Sequence, residues 1–341
     1  MNSMKKFLTF FSVLILVLPF LALTRAVSAQ DFSSVMPSSD IAVEFSPTAP
    51  APNQTVTATA SSESVDLNSS KISWSVNGKT QKTGTGVSTF SFTVGALGRT
   101  TTVSVTVNSP DGQTINKSFS ISPADVDLVW QAVSYTPPFY EGKALFSYEE
   151  RIEFIAIPHI LNSSGAEIPA SQLNYKWSRG GYVLGDFSGY GKNTYTMISS
   201  VISLPADVQV EVTTTDGTSI ADSEAVATPV DPQIVFYQRD PLYGILFQRA
   251  VSSSLSLSGS ELDVLAEPFY FANEDVSAGN LQYTWSVGGE QVSSDLTKNE
   301  RVFRPQSGAS GTSNISLSVG NTSKILQMAD SSFNLSFSSP K

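Results

Sequence analysis

A tryptophan motif recurs three times along the chain, and its spacing constrains the fold more than any other feature does. The three copies each hold the tryptophan at their third position and end in glycine: 72–78, 175–181 and 283–289. The tryptophans are 103 and 108 residues apart, which is close to the length of one small domain. A motif that returns once per domain length predicts one fold used three times.

Each unit also contains a segment in which apolar and polar residues alternate. These segments are 103–107, 208–212 and 315–319. Alternation places every second side chain on one face, as a half-buried strand requires. Each segment precedes a predicted hairpin tip: Asp111-Gly112, Asp216-Gly217 and Gly320-Asn321. Because residues that tolerate positive φ favour such tips and helical periodicity is weak after residue 30, the chain is predicted to be all-β.

In units two and three, the strand that carries the tryptophan also shares a spacing of apolar residues. Leu173, Tyr175 and Trp177 match Leu281, Tyr283 and Trp285 at alternate positions. Residues at alternate positions share one face of a strand, so we expect these six side chains to form the inner layer of a sheet. The first unit keeps Ile72 but has Ser70 in place of leucine.

The N-terminal 29 residues have the features of a secretory signal peptide. Two lysines precede a 17-residue apolar run, and Val27-Ser28-Ala29 supplies the small residues that precede cleavage. An uncleaved segment that anchors the protein to a membrane is the alternative interpretation, because 17 residues reach the short end of a membrane span. Residues 30–39, rich in serine, are predicted to be a flexible leader.

Charge and cysteine content narrow the classes of partner. Removing Lys5, Lys6 and Arg25 with the signal would leave 17 basic and 30 acidic residues, a net charge of −13. Such a chain is repelled by phosphate backbones and anionic lipids, so nucleic acid is excluded as a partner. The protein is expected to contact a membrane only through the N-terminal segment, if that segment is not cleaved. Cysteine is absent, so burial rather than disulfide bonds must stabilise each unit.

Proline-bearing segments mark the predicted boundaries between units. They place domain 1 at 40–122, domain 2 at 123–229 and domain 3 at 230–341. Both junctions are short, which predicts semi-rigid elbows. Units two and three also share a turn of proline, aromatic residue and glycine, at 138–142 and 241–244. We expect its ring to be tucked into the core, with an exposed recognition turn as the alternative.

Residues able to support catalysis or metal binding are few. The single histidine, His159, ends a predicted strand, and no G-x-S-x-G motif accompanies it, so a structural role is expected. Asp125, Asp127 and Asp231 lie at the junctions, where calcium could gather oxygen ligands, but solvated surface charge is the favoured interpretation. No residue pattern indicates a cofactor, and no local context singles out a catalytic pair of carboxylates.

The segment 179–195 is the most unusual loop, because glycines alternate with aromatic residues directly after the second tryptophan. Glycine frees the backbone while aromatic rings offer flat contact area, a combination suited to stacking on sugars or contacting another protein. The favoured interpretation is a long hairpin whose rings fold back onto the sheet. If a binding site is readable from the sequence, its residues are Tyr182, Phe187, Tyr190 and Tyr195.

The pattern Tyr-x-Trp-Ser-x-Gly-Gly at 175–181 and 283–289 resembles the tandem immunoglobulin-like and PKD-like β-sandwich domains of bacterial surface proteins. The resemblance covers nearly all of residues 40–338. It implies three sandwiches, each with its tryptophan packed between two sheets. Two departures are evident: serine stands where PKD repeats often carry an acidic residue after the tryptophan, and the two-cysteine bridge of antibody domains is missing.

Two functional hypotheses follow from the resemblance and the residues. The first is a noncatalytic exported protein, secreted or held at the cell surface, that serves structural display or adhesion and binds another envelope or surface protein. Its three sandwiches in a row would reach about 100 Å. The second is a carbohydrate-binding module that uses the loop 179–195 to contact a glycan. An enzyme is disfavoured, because acid, base and nucleophile all lack a local signature.

Overall fold

The computed structural model describes residues 41–202, 204–257, 259–292 and 298–338, and most of its regular structure is β-strand. The strands form three consecutive two-sheet sandwiches, each with its own buried core. This confirms the prediction of three tandem immunoglobulin-like sandwiches. The predicted signal peptide (1–29) and leader (30–39) lie outside the described residues. No helix in the described part of the chain is long and apolar enough to cross a membrane.

Sandwich 1 contains seven strands. They are β1 (Ala42–Ser46), β2 (Thr55–Ser61), β3 (Lys71–Val76), β4 (Lys79–Thr85), β5 (Thr89–Thr93), β6 (Thr101–Asn108) and β7 (Thr114–Ile121). One sheet has the order β1-β2-β5 and the other β4-β3-β6-β7, and all pairs are antiparallel. Alternate residues of β6 are fully buried, as its alternating sequence predicts.

Sandwich 2 contains eight strands. They are β8 (Asp125–Ala132), β9 (Arg151–His159), β10 (Asn174–Arg179), β11 (Tyr182–Val183), β12 (Gly189–Tyr190), β13 (Thr194–Ile198), β14 (Ala206–Thr213) and β15 (Ile220–Ala227). One sheet has the order β13-β9-β8. The other has the order β11-β10-β14-β15, with β12 also paired to β10. Short 3₁₀ turns occur at Ala170–Gln172 and Gly185–Phe187.

Within its described residues, sandwich 3 contains nine strands. They are β16 (Gln233–Asp240), β17 (Gly244–Val251), β18 (Ser254–Leu257), β19 (Leu262–Phe269), β20 (Leu281–Val287), β21 (Glu290–Gln291), β22 (Glu300–Phe303), β23 (Gly311–Asn321) and β24 (Met328–Phe337). Its sheets have the orders β17-β16-β19-β22 and β18-β24-β23-β20-β21. The pairing of β16 with β17 contains a bulge between Tyr237 and Arg239.

The three tryptophans lie at the centres of the three cores. Trp74 and Trp177 are completely buried and Trp285 is 1% exposed, which confirms the predicted packing between the sheets. The six residues expected to form the inner layer of units two and three are also buried. In sandwiches 1 and 2 the indole N–H donates to a carbonyl of a later loop, Val87 O at 2.9 Å and Lys192 O at 2.8 Å. The one polar group of each of these two buried rings is therefore paired.

Two local predictions differ from the structure of sandwich 3. The strand β23 continues through Gly320 and Asn321, so the predicted hairpin tip there is wrong. The Asn321 side chain is buried and donates to Asp275 and Gln327, which holds the backbone extended where the sequence favours a turn. A six-residue helix, α1 (Asn273–Ala278), also interrupts the strands. It ends at Gly279, whose φ of 74° permits the left-handed cap.

Strand ends lie close to the predicted domain boundaries. The strand β7 ends at Ile121 and β8 begins at Asp125, while β15 ends at Ala227 and β16 begins at Gln233. The limits 40–122, 123–229 and 230–341 themselves stay a prediction. The short connections bring consecutive sandwiches close enough to make direct contact, and the two joints that result are described below.

Candidate ligand-contact surfaces

The loop 179–195 is built around the backbone of Trp177. Leu184 N–H donates to Trp177 O at 2.8 Å, and Trp177 N–H donates to Ser188 Oγ at 3.0 Å. Ser188 Oγ–H in turn donates to Leu184 O at 2.7 Å. Lys192 also stabilises the loop, because its Nζ donates a hydrogen bond to Asp186 O at 2.7 Å. These bonds hold the glycine-rich segment in one conformation against the edge of β10.

Two of the four predicted contact residues turn inward. Tyr195 is only 3% exposed and lies between Phe154 and Trp177, with ring centroids 5.8 and 6.0 Å away. Phe187 packs edge-on against Tyr195 at 4.8 Å and is 37% exposed. The expectation that Tyr195 contacts a ligand is therefore corrected, because its ring belongs to the core of sandwich 2. For these two rings the folded-back hairpin was the right interpretation.

The other two residues, Tyr182 and Tyr190, are exposed at 80% and 59%. Tyr182 pairs with Arg179 and Tyr190 pairs with Asn174, at opposite ends of β10. Five residues of strand separate these pairs by about 17 Å. Side chains alternate along a strand, so the two tyrosines point to opposite faces of the sheet. They cannot contact one ligand as a single aromatic platform.

Tyr190 borders a polar cleft between sandwiches 1 and 2, which we call the interdomain cleft. It has a volume of about 560 Å³. Sandwich 1 contributes Thr100, Ser120 and Ser122, and sandwich 2 contributes Gln172, Thr214 and Thr218. No lysine, arginine or histidine is among the described residues that line it. Tyr182 instead borders a separate pocket with Met197 and Leu204.

The joint between sandwiches 2 and 3 is an extensive interface. The segment 133–150, which follows β8, lies against the outer face of the β17-β16-β19 sheet. Its backbone pairs with the end of β19: Tyr135 N–H donates to Phe271 O at 2.7 Å, and Tyr270 N–H donates to Tyr135 O at 3.0 Å. The semi-rigid elbow at this junction stays a prediction, and the structure adds a long covering segment that the second unit contributes to the third.

Apolar and polar side chains both fill this interface. Tyr237, Phe269 and Tyr270 form a small separate core with Leu145 packed against it. Tyr135 O–H donates to the buried carboxylate of Glu267 at 2.7 Å. Burial raises the pKa of Glu267 above its usual range. Burial and, to a smaller extent, the same hydrogen bond raise the pKa of Tyr135, so the phenol remains protonated as the donor.

A second buried carboxyl group, Glu150, lies in the same joint. It is 1% exposed and accepts hydrogen bonds from Ser147 N–H at 3.0 Å and from Gln327 Nε2 at 3.4 Å. Gln327 of sandwich 3 also donates to Tyr148 O and accepts from Ala272 N–H. Burial raises the pKa of Glu150 to about 8, against the opposing effect of the bonds from Ser147.

The two turns of proline and aromatic residue both expose apolar side chains, and the first of them, at 138–142, is part of the segment that covers sandwich 3. Phe139 is 88% exposed, Leu242 87% and Tyr243 81%. The expectation that the ring enters a core is wrong for Phe139 and Tyr243, whereas Tyr140 of the first turn packs on Phe269 at 5.3 Å and its hydroxyl forms a hydrogen bond with Tyr270. Phe139 rests on Phe247, with ring centroids 6.2 Å apart. We call Phe139, Tyr140 and Phe247, which line one pocket together with Tyr237, the aromatic turn surface.

His159 and the junction aspartates have local partners. His159 Nε2 lies 3.1 Å from Asp127 Oδ2, which agrees with a structural role. Asp231 accepts from Tyr148 O–H at 2.9 Å, and Asp125 accepts from the backbone of Val126. Within the described ranges, no group of three or more histidine, cysteine, aspartate or glutamate side chains could hold a metal ion.

Comparison with known proteins identifies solved structures of similar architecture. No protein-family model and no curated protein sequence matches the chain. The central fibronectin-III array of RIM-binding protein is 13% identical, with a TM-score of 0.31, and the match covers 87% of this chain and 95% of that one.

Two other solved structures align over similar lengths. Three N-terminal domains of the bacteriophage RB49 outer capsid protein Hoc are 13% identical, with a TM-score of 0.26 and coverage of 89% and 99%. A Bacteroides ovatus glucan-utilisation protein in complex with a mixed-linkage heptasaccharide is 11% identical, with a TM-score of 0.22 and coverage of 88% and 70%. Similarity at this level carries no argument about function. The fold assignment is based on the strands described above.

Sequence reasoning missed the buried network of the second joint. Glu150 and Gln327 are 177 residues apart, and Tyr135 and Glu267 are 132 apart. Neither pair belongs to a periodic pattern or a motif. The one available signal was the turn of proline and aromatic residue at 138–142, since it lies within the segment that covers sandwich 3.

Proposed function

We propose that this chain is a noncatalytic exported protein, secreted or held at the cell surface, with a structural, display or adhesive role. The observation that supports this proposal is the second joint. Backbone pairing, an apolar core and buried hydrogen bonds hold sandwiches 2 and 3 in one relative orientation. Phe139 of sandwich 2 is therefore held against Phe247 of sandwich 3 in fixed geometry.

The aromatic turn surface is the proposed site of adhesion to another envelope or surface protein. Aromatic residues are enriched at protein interfaces because each offers a large contact area at little cost in side-chain entropy. The described part of sandwich 1 has no equivalent, since residues 47–52 carry prolines but no aromatic ring. Sandwich 1 is then a spacer, and the unit of sandwiches 2 and 3 carries the contact.

Two measurements test the proposal. Full-length chain and a variant lacking residues 1–29 are expressed in the source cells, and protease added to intact cells should degrade only the former. Purified mature chain should bind those cells, and the variant Phe139→Ser should bind several-fold more weakly. Ile325→Ser is the matched control, because Ile325 is 76% exposed in sandwich 3 but lies outside this surface. Cytoplasmic retention, or equal loss in the control, would contradict the proposal.

A second candidate function, glycan binding through the loop 179–195, is supported by the exposure of Tyr190 at a polar cleft. The inward orientation of Tyr195 and the opposite directions of Tyr182 and Tyr190 reduce the predicted four-residue site to one ring. A glycan would therefore be contacted from one face of sandwich 2 only.

A further inference from the structure

We propose that the interdomain cleft binds a neutral oligosaccharide, with the ring of Tyr190 as its stacking surface. This inference rests on the second candidate function above and specifies its ligand class and location. The cleft volume of about 560 Å³ lies within the usual range of small-ligand sites. It contains the one exposed ring of the aromatic loop that faces another sandwich.

The chemistry of the lining indicates the ligand class. Hydroxyl and amide groups predominate, and each can both donate and accept a hydrogen bond, as sugar hydroxyls do. Asp216, the only carboxylate among the described residues that line the cleft, already accepts bonds from Thr218 N–H and Oγ–H at 3.1 and 2.8 Å. No cationic side chain lines the described cleft, so an anionic ligand would lack a counter-charge. A tyrosine ring adds an apolar face to pack against the C–H groups of a sugar.

The side of the cleft formed by sandwich 2 is preorganised. Gly191 N–H donates to Leu173 O at 2.8 Å, which fixes the backbone directly after Tyr190. Gly191 has a φ of 73°, and an added Cβ would lie 3.2 Å from Ser171 O, so glycine is required there. The facing hairpin tip is closed by Thr214 N–H donating to Ser219 O at 3.1 Å. A ligand would therefore meet positioned groups and lose little affinity to ordering them.

The other side of the cleft belongs to sandwich 1, across the first joint. A backbone hydrogen bond from Gly98 to Pro123 O, at 3.3 Å, and the packing of Leu161 beside Gly98 mark this joint. A ligand that contacts Ser122 on one side and Tyr190 on the other would fix the angle between the two sandwiches. Binding should therefore narrow the distribution of that angle as well as protect Tyr190.

The test uses the mature chain and a printed array of neutral gluco-, xylo-, manno- and galacto-oligosaccharides, with sulfated and sialylated glycans as charged controls. We expect a neutral oligosaccharide to bind, and calorimetric titration should show affinity about tenfold weaker for Tyr190→Ala. Tyr190→Phe should retain affinity, because the ring persists. Gln172→Ala should weaken binding several-fold without touching the core, since Gln172 is exposed. Tyr182→Ala is the control from the same loop and should bind as the parent chain does.

Each other outcome has a defined meaning. If a neutral glycan binds and Tyr190→Ala and Gln172→Ala leave its affinity unchanged, the cleft is not the site, although glycan binding stands. If sulfated or sialylated glycans are preferred, the assigned ligand class is wrong. If no glycan on the array binds, the inference fails together with the glycan-binding function. Surface exposure and cell adhesion, measured separately, would be unaffected by any of these results.

Discussion

The two joints of this molecule differ in size and in chemistry. At the first, a backbone bond at Gly98 and the packing of Leu161 connect sandwich 1 with sandwich 2. At the second, an entire covering segment, an apolar cluster and two buried carboxyl groups connect sandwich 2 with sandwich 3. The fold is therefore repeated along the chain, but the interface between neighbouring sandwiches is not. We infer a hinge followed by a fixed pair of sandwiches, with the proposed ligand cleft at the hinge.

The largest expected effect tests whether sandwiches 2 and 3 unfold together. Trp177→Ala removes a completely buried ring and should lower the free energy of unfolding by about 3 to 5 kcal/mol. Because the second joint couples the two sandwiches, calorimetry should show their shared transition moving to lower temperature while that of sandwich 1 stays. Trp74→Ala is the matched control and should move only the sandwich 1 transition. Independent unfolding of sandwich 3 in Trp177→Ala would contradict the coupling of sandwiches 2 and 3 by the second joint.

The next effect is the dependence of the second joint on pH. The folded state keeps the proton of Glu150 up to about pH 8, whereas the unfolded chain releases it near pH 4.5. The contribution of protonated Glu150 to the stability of the folded state is therefore fully present below pH 4.5 and is lost as pH rises towards 8. This amounts to about 3 kcal/mol between pH 5 and 8. The raised pKa of Glu267 acts in the same direction.

Denaturant titrations from pH 5 to 9 measure this dependence. The groups near Glu150 are Ser147, Ser199, Gln327, Lys324 and Glu274. Of these, Lys324 favours the ionised form and Glu274 disfavours it. Glu150→Gln keeps the shape of the side chain but removes its ionisable group. This variant should therefore lose most of the dependence of the free energy of unfolding on pH. An unchanged slope in this variant would show that Glu150 titrates normally.

A smaller effect should follow from cutting the hydrogen bonds of Gln327. Gln327→Ala leaves Ala272 N–H and Tyr148 O without their buried partner, which should lower stability by about 2 kcal/mol. Calorimetry should also show the shared transition of sandwiches 2 and 3 beginning to separate. Gln209→Ala, on an exposed face of β14, is the control and should change neither. A single sharp transition in Gln327→Ala would mean that the apolar contacts alone couple the sandwiches.

The smallest effect concerns the first joint. A Cβ added at Gly98 would lie 2.9 Å from Leu161, and its φ of 68° disfavours alanine. Gly98→Ala should lower stability by only about 1 kcal/mol while changing the angle between sandwiches 1 and 2 seen by small-angle scattering. Gly112→Ala shares the positive φ but meets nothing within 4 Å, so it should leave the scattering unchanged. Equal profiles for both variants would contradict a hinge at Gly98.

The cores could be predicted from the sequence and the joints could not, for a physical reason. A core repeats in every unit and leaves a local period, as Val103 and Val105 do in β6, so three copies reinforce one signal. A joint forms once, between residues such as Tyr135 and Glu267, and leaves no repeat. The loop 179–195 could be predicted in part. Its composition indicated exposed rings, but only the pairing register of β10 shows that Tyr182 and Tyr190 point to opposite faces of the sheet.

The bulge between Tyr237 and Arg239 has a consequence for the protein at high concentration. It interrupts the regular pairing of β16 with the outermost strand β17, so the free edge of that sheet is not a continuous row of hydrogen-bonding groups. Regular edge strands can recruit other chains and begin aggregation, and bulges prevent this. The irregular edge thus disfavours joining of sheets at β17 when many copies are crowded together.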